Sequence, residues 1–106
     1  MSGRLSNREA RIWYHQELKQ IPQQLDASIT LEQRARQAYR LRHDAQMRAR
    51  RLMQDGDSVA SLPEPRTWNA LVSRYQATGL SGEALWQAII DAASRAGTMI
   101  DEAAGL

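Results

Sequence analysis

The sequence contains no cysteine and no phenylalanine, only three prolines, and no long apolar run. The absence of cysteine excludes a disulfide scaffold, a thiolate nucleophile and a cysteine-ligated zinc site. With two histidines and no His-Glu-x-x-His spacing, the sequence predicts neither a metal site nor a cofactor. No stretch approaches the roughly 20 apolar residues that a membrane-spanning helix needs, so no membrane span is predicted.

The overall composition is that of one globular domain. Of the 106 residues, 42% are hydrophobic and 25% are charged, which are ordinary values for a folded domain. A chain of this length can bury one core but not two. No segment alternates apolar and polar residues as a half-buried strand does. We therefore expect residues 1–106 to form a single all-α domain, a compact bundle of four to five helices.

Hydrophobic periodicity and capping residues predict where these helices begin and end. Ser6 with Glu9, and Thr30 with Gln33, have the spacing of capping boxes at the starts of the first two helices. Pro22 is expected to end the first helix, because proline disfavours helical geometry in the residue before it. The predicted helices span about 7–21, 31–54, 67–78 and 81–96, with a fifth short helix at about 98–104.

Positive charge is concentrated in the long second helix, about 31–54. Thirteen of the fourteen basic residues are arginine, and seven of these lie in this segment against two acidic residues, Glu32 and Asp44. The segment therefore carries +5, while the rest of the chain, with seven basic and ten acidic residues, carries −3. A positive field confined to one helix favours an anionic partner. The alternative is that these arginines form an ordinary solvated face.

Polar residues spaced by three or four form a stripe along this helix: Arg36, Tyr39, His43, Gln46 or Met47, and Arg50. Arginine forks match phosphate oxygens, tyrosine can stack on a base, and a histidine between them is placed for general acid–base work. The resulting hypothesis is a metal-independent nuclease. Its catalytic residues would be His43, Arg42 and Tyr39, and its nucleic-acid-binding residues Arg36, Arg40, Arg48 and Arg50. The alternative is that His43 is structural and Tyr39 forms the rim of the core.

Arg42 is the least expected residue of the second helix. By helical phase it lies within the apolar seam, which is built mostly from alanines. A buried arginine is costly unless it is paired. One interpretation is a buried salt bridge to a carboxylate of another helix, with Glu17, Glu83 or Asp91 as candidates. The other is a cleft in which Arg42 faces an anionic ligand, and the sequence favours neither.

Several short motifs follow one another in a particular order: Arg-Ile-Trp-Tyr at 11–14, Ile-Pro at 21–22, Leu-Glu-Gln-Arg-Ala-Arg-Gln-Ala-Tyr-Arg-Leu-Arg at 31–42, Ala-Arg-Arg-Leu-Met-Gln-Asp at 49–55, Gly-Leu-Ser-Gly at 79–82 and Ser-Arg at 94–95. This order resembles helical domains at the extreme C-terminus of bacterial polymorphic toxins of the haemagglutinin, Rhs and LXG types. The resemblance spans about residues 8–106. It implies an effector domain secreted as part of a larger protein, which acts in the target-cell cytoplasm and is neutralised by a cognate immunity protein. Encoded alone, the domain would be cytoplasmic.

The resemblance leaves the activity open, because such modules include nucleases, other enzymes and pore formers. The family pattern has asparagine where this chain has His43, arginine where it has Gln46, and asparagine near Asp101. His43 is therefore not assigned as the family's catalytic group. The spacing of Arg36 and His43 also fits a loose Arg-x4–6-His pattern of one class of all-helical ribonucleases, though such a match arises easily in an arginine-rich helix. The alternative function is a non-enzymatic helical module that binds a protein partner or RNA or DNA.

Overall fold

A computed structural model of the chain describes residues 6–52 and 67–95, and these residues form four α-helices without any strand. The helices are α1 (Asn7–Gln24), α2 (Leu31–Leu52), α3 (Trp68–Ala77) and α4 (Gly82–Ala93). The predicted all-α helical bundle is therefore confirmed. The end of the second helix near Asp55 and Gly56, the end of the fourth near Gly97, and the fifth helix at 98–104 lie outside the described residues.

The first three helices begin where hydroxyl side chains satisfy amides that have no partner within the helix. At α1, Glu9 N donates to Ser6 Oγ (3.1 Å) and Ser6 N donates to Glu9 Oε1 (2.9 Å). At α2, Gln33 N donates to Thr30 Oγ1 (3.1 Å) and Thr30 N donates to Gln33 Oε1 (3.0 Å). Both predicted capping boxes are confirmed. At α3, the amide of Ala70 donates to Thr67 Oγ1 (3.2 Å), without the reciprocal bond of a capping box.

The prediction that Pro22 ends the first helix is wrong, because α1 continues through Pro22 to Gln24. Contacts outside the local sequence hold this last turn. Ile21 is only 2% exposed and packs in the core. Gln37 of α2 donates from Nε2 to the carbonyl of Gln24 (3.3 Å) and accepts at Oε1 from the amide of Asp26 (2.9 Å). These long-range contacts outweigh the local preference that proline imposes on its neighbour.

The core forms where α2 packs against α1 and α4. The buried residues of the α2 seam are mostly alanine, which allows a close approach of the neighbouring helices: Ala35, Ala38, Ala45 and Ala49. Larger side chains from the other helices fill the space between them: Tyr14, Leu18, Ile21, Leu71, Tyr75, Leu85 and Ile89. Ile90 and Ala92 of α4 are buried as well.

The turn between α3 and α4 brings two tryptophans together. Gly79, the predicted end of the third helix, has a φ of +96°, a left-handed conformation that glycine adopts without the steric cost a side chain would bring. The two helices then lie so that Trp68 and Trp86 stack, with ring centroids 5.9 Å apart and planes 13° from parallel. This aromatic pair lies beside the polar stripe of α2.

Candidate functional site on the arginine-rich helix

Arg42 lies in the interior and caps the end of α4. The residue is 2% exposed, and its Nη1 donates to the carbonyls of Ala92 (3.2 Å), Ala93 (3.0 Å) and Arg95 (2.8 Å). The last carbonyls of a helix lack partners within the helix and carry partial negative charge. A guanidinium there satisfies them and complements the helix dipole. Neither interpretation of Arg42 drawn from the sequence included this arrangement, which keeps the guanidinium away from the exposed surface of α2.

Four other arginines of α2 are exposed: Arg36, Arg40, Arg48 and Arg51. Within the described ranges, none of these four forms an ion pair with a carboxylate. Arg51 was not among the predicted site residues, although it contributes to the charge of the helix. Arg50 was predicted to bind nucleic acid, but it is only partly exposed and contacts other groups of the protein. The exposed four therefore define the charged surface of α2.

Two of these guanidiniums lie over tryptophan rings. The Arg36 guanidinium carbon is 5.2 Å from the centroid of Trp68, and that of Arg48 is 5.8 Å from the centroid of Trp13. A cation–π contact positions the guanidinium without cancelling its charge. The rings therefore orient two of the cations on the α2 surface and leave them able to attract an anion.

The predicted stripe is present as far as His43. Tyr39 contacts Trp68 edge to face, with centroids 5.5 Å apart, and lies 5.9 Å from the ring of His43. Burial raises the pKa of the Tyr39 phenol above its usual value, so the phenol stays protonated at neutral pH and is not a base there. Beyond His43 the stripe turns inward, because Gln46 is 1% exposed. Met47 is the more accessible of the two alternatives at this position.

A groove of about 480 Å³ contains His43 and residues of both α1 and α2. His43 is 39% exposed, and its Nδ1 is 3.6 Å from Oδ1 of Asp44. Arg48 and Arg51 also line the groove, so an imidazole and two guanidiniums border one concave surface. Such a set can hold a phosphate group and transfer a proton beside it.

The α1 side of this groove was not predicted as part of a site. It is lined by Trp13 and Glu17, both partly exposed. The sequence did carry a signal, because Glu17 is the one charge on the otherwise apolar face of the first helix. That charge was assigned only as a possible partner of Arg42. What α1 contributes to the groove follows from how the two helices pack.

Ser94 and Arg95 do not join this groove. They line a separate cavity of about 390 Å³ with His15 and Lys19 of α1. Among residues 6–52 and 67–95, no group of three or more histidine or carboxylate side chains is placed to hold a metal ion. In the same part of the chain, none of the helices has the length and apolar character needed to cross a membrane.

No protein-family model, curated protein or solved structure matches this chain. The resemblance to C-terminal toxin domains therefore stays a prediction from the order of motifs. The α2 surface and the groove beside it are the features on which a functional proposal can be based.

Proposed function

We propose that this chain binds nucleic acid along the exposed face of α2 and cleaves it without a metal ion. The observation that carries the proposal is that four exposed guanidiniums of one helix have no carboxylate partner among the described residues. From Arg36 to Arg51 the helix rises about 22 Å, the axial length of about six nucleotides of one strand. A row of cations of this length suits a phosphate backbone better than a single small anion.

In this proposal His43 transfers the proton during cleavage. Its imidazole is partly exposed in the groove and lies beside Asp44, whose Oδ1 is 3.6 Å from Nδ1. Arg48 and Arg51 would bind the phosphate and stabilise the negative charge that grows on its oxygens in the transition state. Arg42 is assigned a structural role, because it is buried at the end of α4. Tyr39 supports the position of the His43 ring.

The proposed biological role is that of a toxin effector domain of the polymorphic class. The motif order along residues 8–106 supports it. In this role the domain is delivered as part of a larger secreted protein, cuts RNA or DNA in the cytoplasm of a rival bacterium, and is held inactive by a cognate immunity protein in the producing cell. An acidic immunity protein would be the natural complement of the α2 surface.

The test measures cleavage and toxicity together. The domain is induced in a host that lacks the immunity protein, and RNA and DNA are examined as growth stops. The purified His43→Ala variant is compared with His15→Ala, which removes the exposed histidine of α1 outside the groove. We expect His43→Ala to lower the cleavage rate about 100-fold or more, the usual contribution of a general acid–base group, and His15→Ala to have little effect. Intact nucleic acid with the wild-type chain would refute the nuclease activity, and full activity of His43→Ala would refute the catalytic role of His43.

A second candidate is a non-enzymatic module that recognises nucleic acid or an acidic protein partner. It is favoured by the packing of Arg36 on Trp68 and of Arg48 on Trp13, since such contacts preorganise a binding surface and do not require chemistry. In that case His43→Ala leaves binding and the effect on growth unchanged, and the wild-type protein binds oligonucleotides without cutting them.

A further inference from the structure

The groove contains an aromatic ring and a carboxylate that the proposed cleavage does not use. Trp13 and Glu17 are four residues apart on α1, so they project from the same side of the helix into the groove. Trp13 is partly exposed and receives the Arg48 guanidinium over its ring. Arg51 lines the same space. An aromatic ring with a guanidinium over it, an acceptor and a second cation therefore border one space.

The carboxylate of Glu17 makes no hydrogen bond and no ion pair with any residue in the described ranges. The Glu17 carboxylate makes no ion pair although Arg48 and Arg51 line the same groove. The other carboxylate there, that of Asp44, contacts His43. The Glu17 oxygens are not among the buried side-chain atoms that lack a partner, so they are accessible to a ligand that enters the groove. Since an ionised carboxylate only accepts hydrogen bonds, a ligand that binds it must present N–H or O–H groups.

We infer that the groove binds one unstacked guanine base of a single-stranded nucleic acid, an inference that rests on the proposed function. Guanine presents two adjacent donors on its Watson–Crick edge, N1–H and the 2-amino group, and these match the two oxygens of Glu17. Adenine and cytosine each present one donor beside an acceptor, and uracil presents one donor between two acceptors. An acceptor-only carboxylate therefore prefers guanine.

The other groove residues suit the rest of the nucleotide. Because the Arg48 guanidinium lies over the Trp13 ring, the base would stack against this guanidinium–indole pair, since bases in single strands stack on arginine planes as well as on aromatic rings. Arg48 and Arg51 provide charge for the adjoining phosphate. The volume of about 480 Å³ lies within the range of about 300–1,000 Å³ typical of small-ligand sites. The Watson–Crick edge is accessible only in an unpaired strand, so the substrate class is single-stranded and contains guanine.

The experiment compares guanosine, inosine and adenosine 5′-monophosphates binding to the full chain, by calorimetry and by shifts of the Trp13 indole signal. The variants are Glu17→Gln and, as a charge-matched control outside the groove, Glu83→Gln, which changes an exposed carboxylate at the start of α4. We expect the wild-type chain and Glu83→Gln to bind guanosine monophosphate about tenfold or more tightly than adenosine monophosphate. Inosine monophosphate, which lacks the 2-amino group, is expected to bind with intermediate affinity. Glu17→Gln is expected to lose the preference.

Equal affinity of the wild-type chain for the three nucleotides would overturn the inference, and this measurement depends on no variant. A guanine preference that survives in Glu17→Gln would overturn it too. The proposed function would stand in either case, provided that mixed-sequence RNA or DNA is still cut in a His43-dependent way. Failure of the wild-type chain to bind any mononucleotide or oligonucleotide would remove both proposals.

Discussion

The side chain of Arg42 extends from α2 to the last turn of α4, so it links two helices of the bundle. Hydrogen bonds made by a charged group contribute about 1.5–3 kcal/mol, roughly twice the value of neutral ones. The three carbonyls that accept from its Nη1 close the C-terminal end of α4. Loss of the guanidinium would leave these carbonyls buried without that donor.

We predict that Arg42→Met lowers the free energy of unfolding by about 3 kcal/mol, because it removes a buried charged partner. Arg42→Lys should cost less, since an ammonium group retains the charge and some of the donors. Arg40→Met is the control, because Arg40 is exposed two residues earlier on the same helix and should change stability by less than about 0.5 kcal/mol. Denaturant unfolding measures all three variants. Equal stability of Arg42→Met and Arg40→Met would show that the hydrogen bonds of Arg42 at the end of α4 do not contribute to the free energy of unfolding.

At the scale of helices, the sequence predicted features that depend on neighbouring residues and missed those that depend on distant ones. The starts of α1 and α2 were predictable, because each capping box closes within three residues. The burial of Arg42 was predictable from helical phase, but its partners were not, since they lie about 50 residues away. The end of α1 was mispredicted at Pro22 for the same reason. Gln37, which holds that end, belongs to the next helix.

We predict that Gln37→Ala shortens α1 toward Pro22. The change removes one hydrogen bond to the carbonyl of Gln24 and one from the amide of Asp26, so the free energy of unfolding should fall by about 1–2 kcal/mol. Amide hydrogen exchange should become faster at the end of α1 while the rest of the helix stays protected. Gln20→Ala is the control, an exposed glutamine of α1. Unchanged exchange at residues 23–26 in Gln37→Ala would show that Gln37 does not hold the helix end.

At the scale of the whole molecule, one part of the candidate site can be predicted from the sequence and the other part cannot. The stripe of Arg36, Tyr39 and His43 follows from the helical period alone. The groove also needs Trp13 and Glu17, which reach it only because α1 packs antiparallel beside α2. The net charge of +2 gives no indication of this organisation. Binding of an anionic ligand depends on the positions of the cations. The effect of their positions can be tested separately from the effect of their number.

We predict that Arg40→Gln combined with Arg51→Gln weakens binding of single-stranded oligonucleotides about tenfold or more at low salt. The matched control is Arg8→Gln combined with Lys19→Gln, two exposed cations of α1. Both double variants lower the net charge from +2 to 0, so a response to overall charge would affect them equally. Removing one cation that neutralises a phosphate should reduce the slope of log K against log salt by about 0.7. The slope should therefore fall by about 1.4 in the α2 variant and stay unchanged in the α1 variant. Similar weakening in the two variants would mean that the α2 surface is not a specific binding face and that the chain attracts polyanions through its total charge.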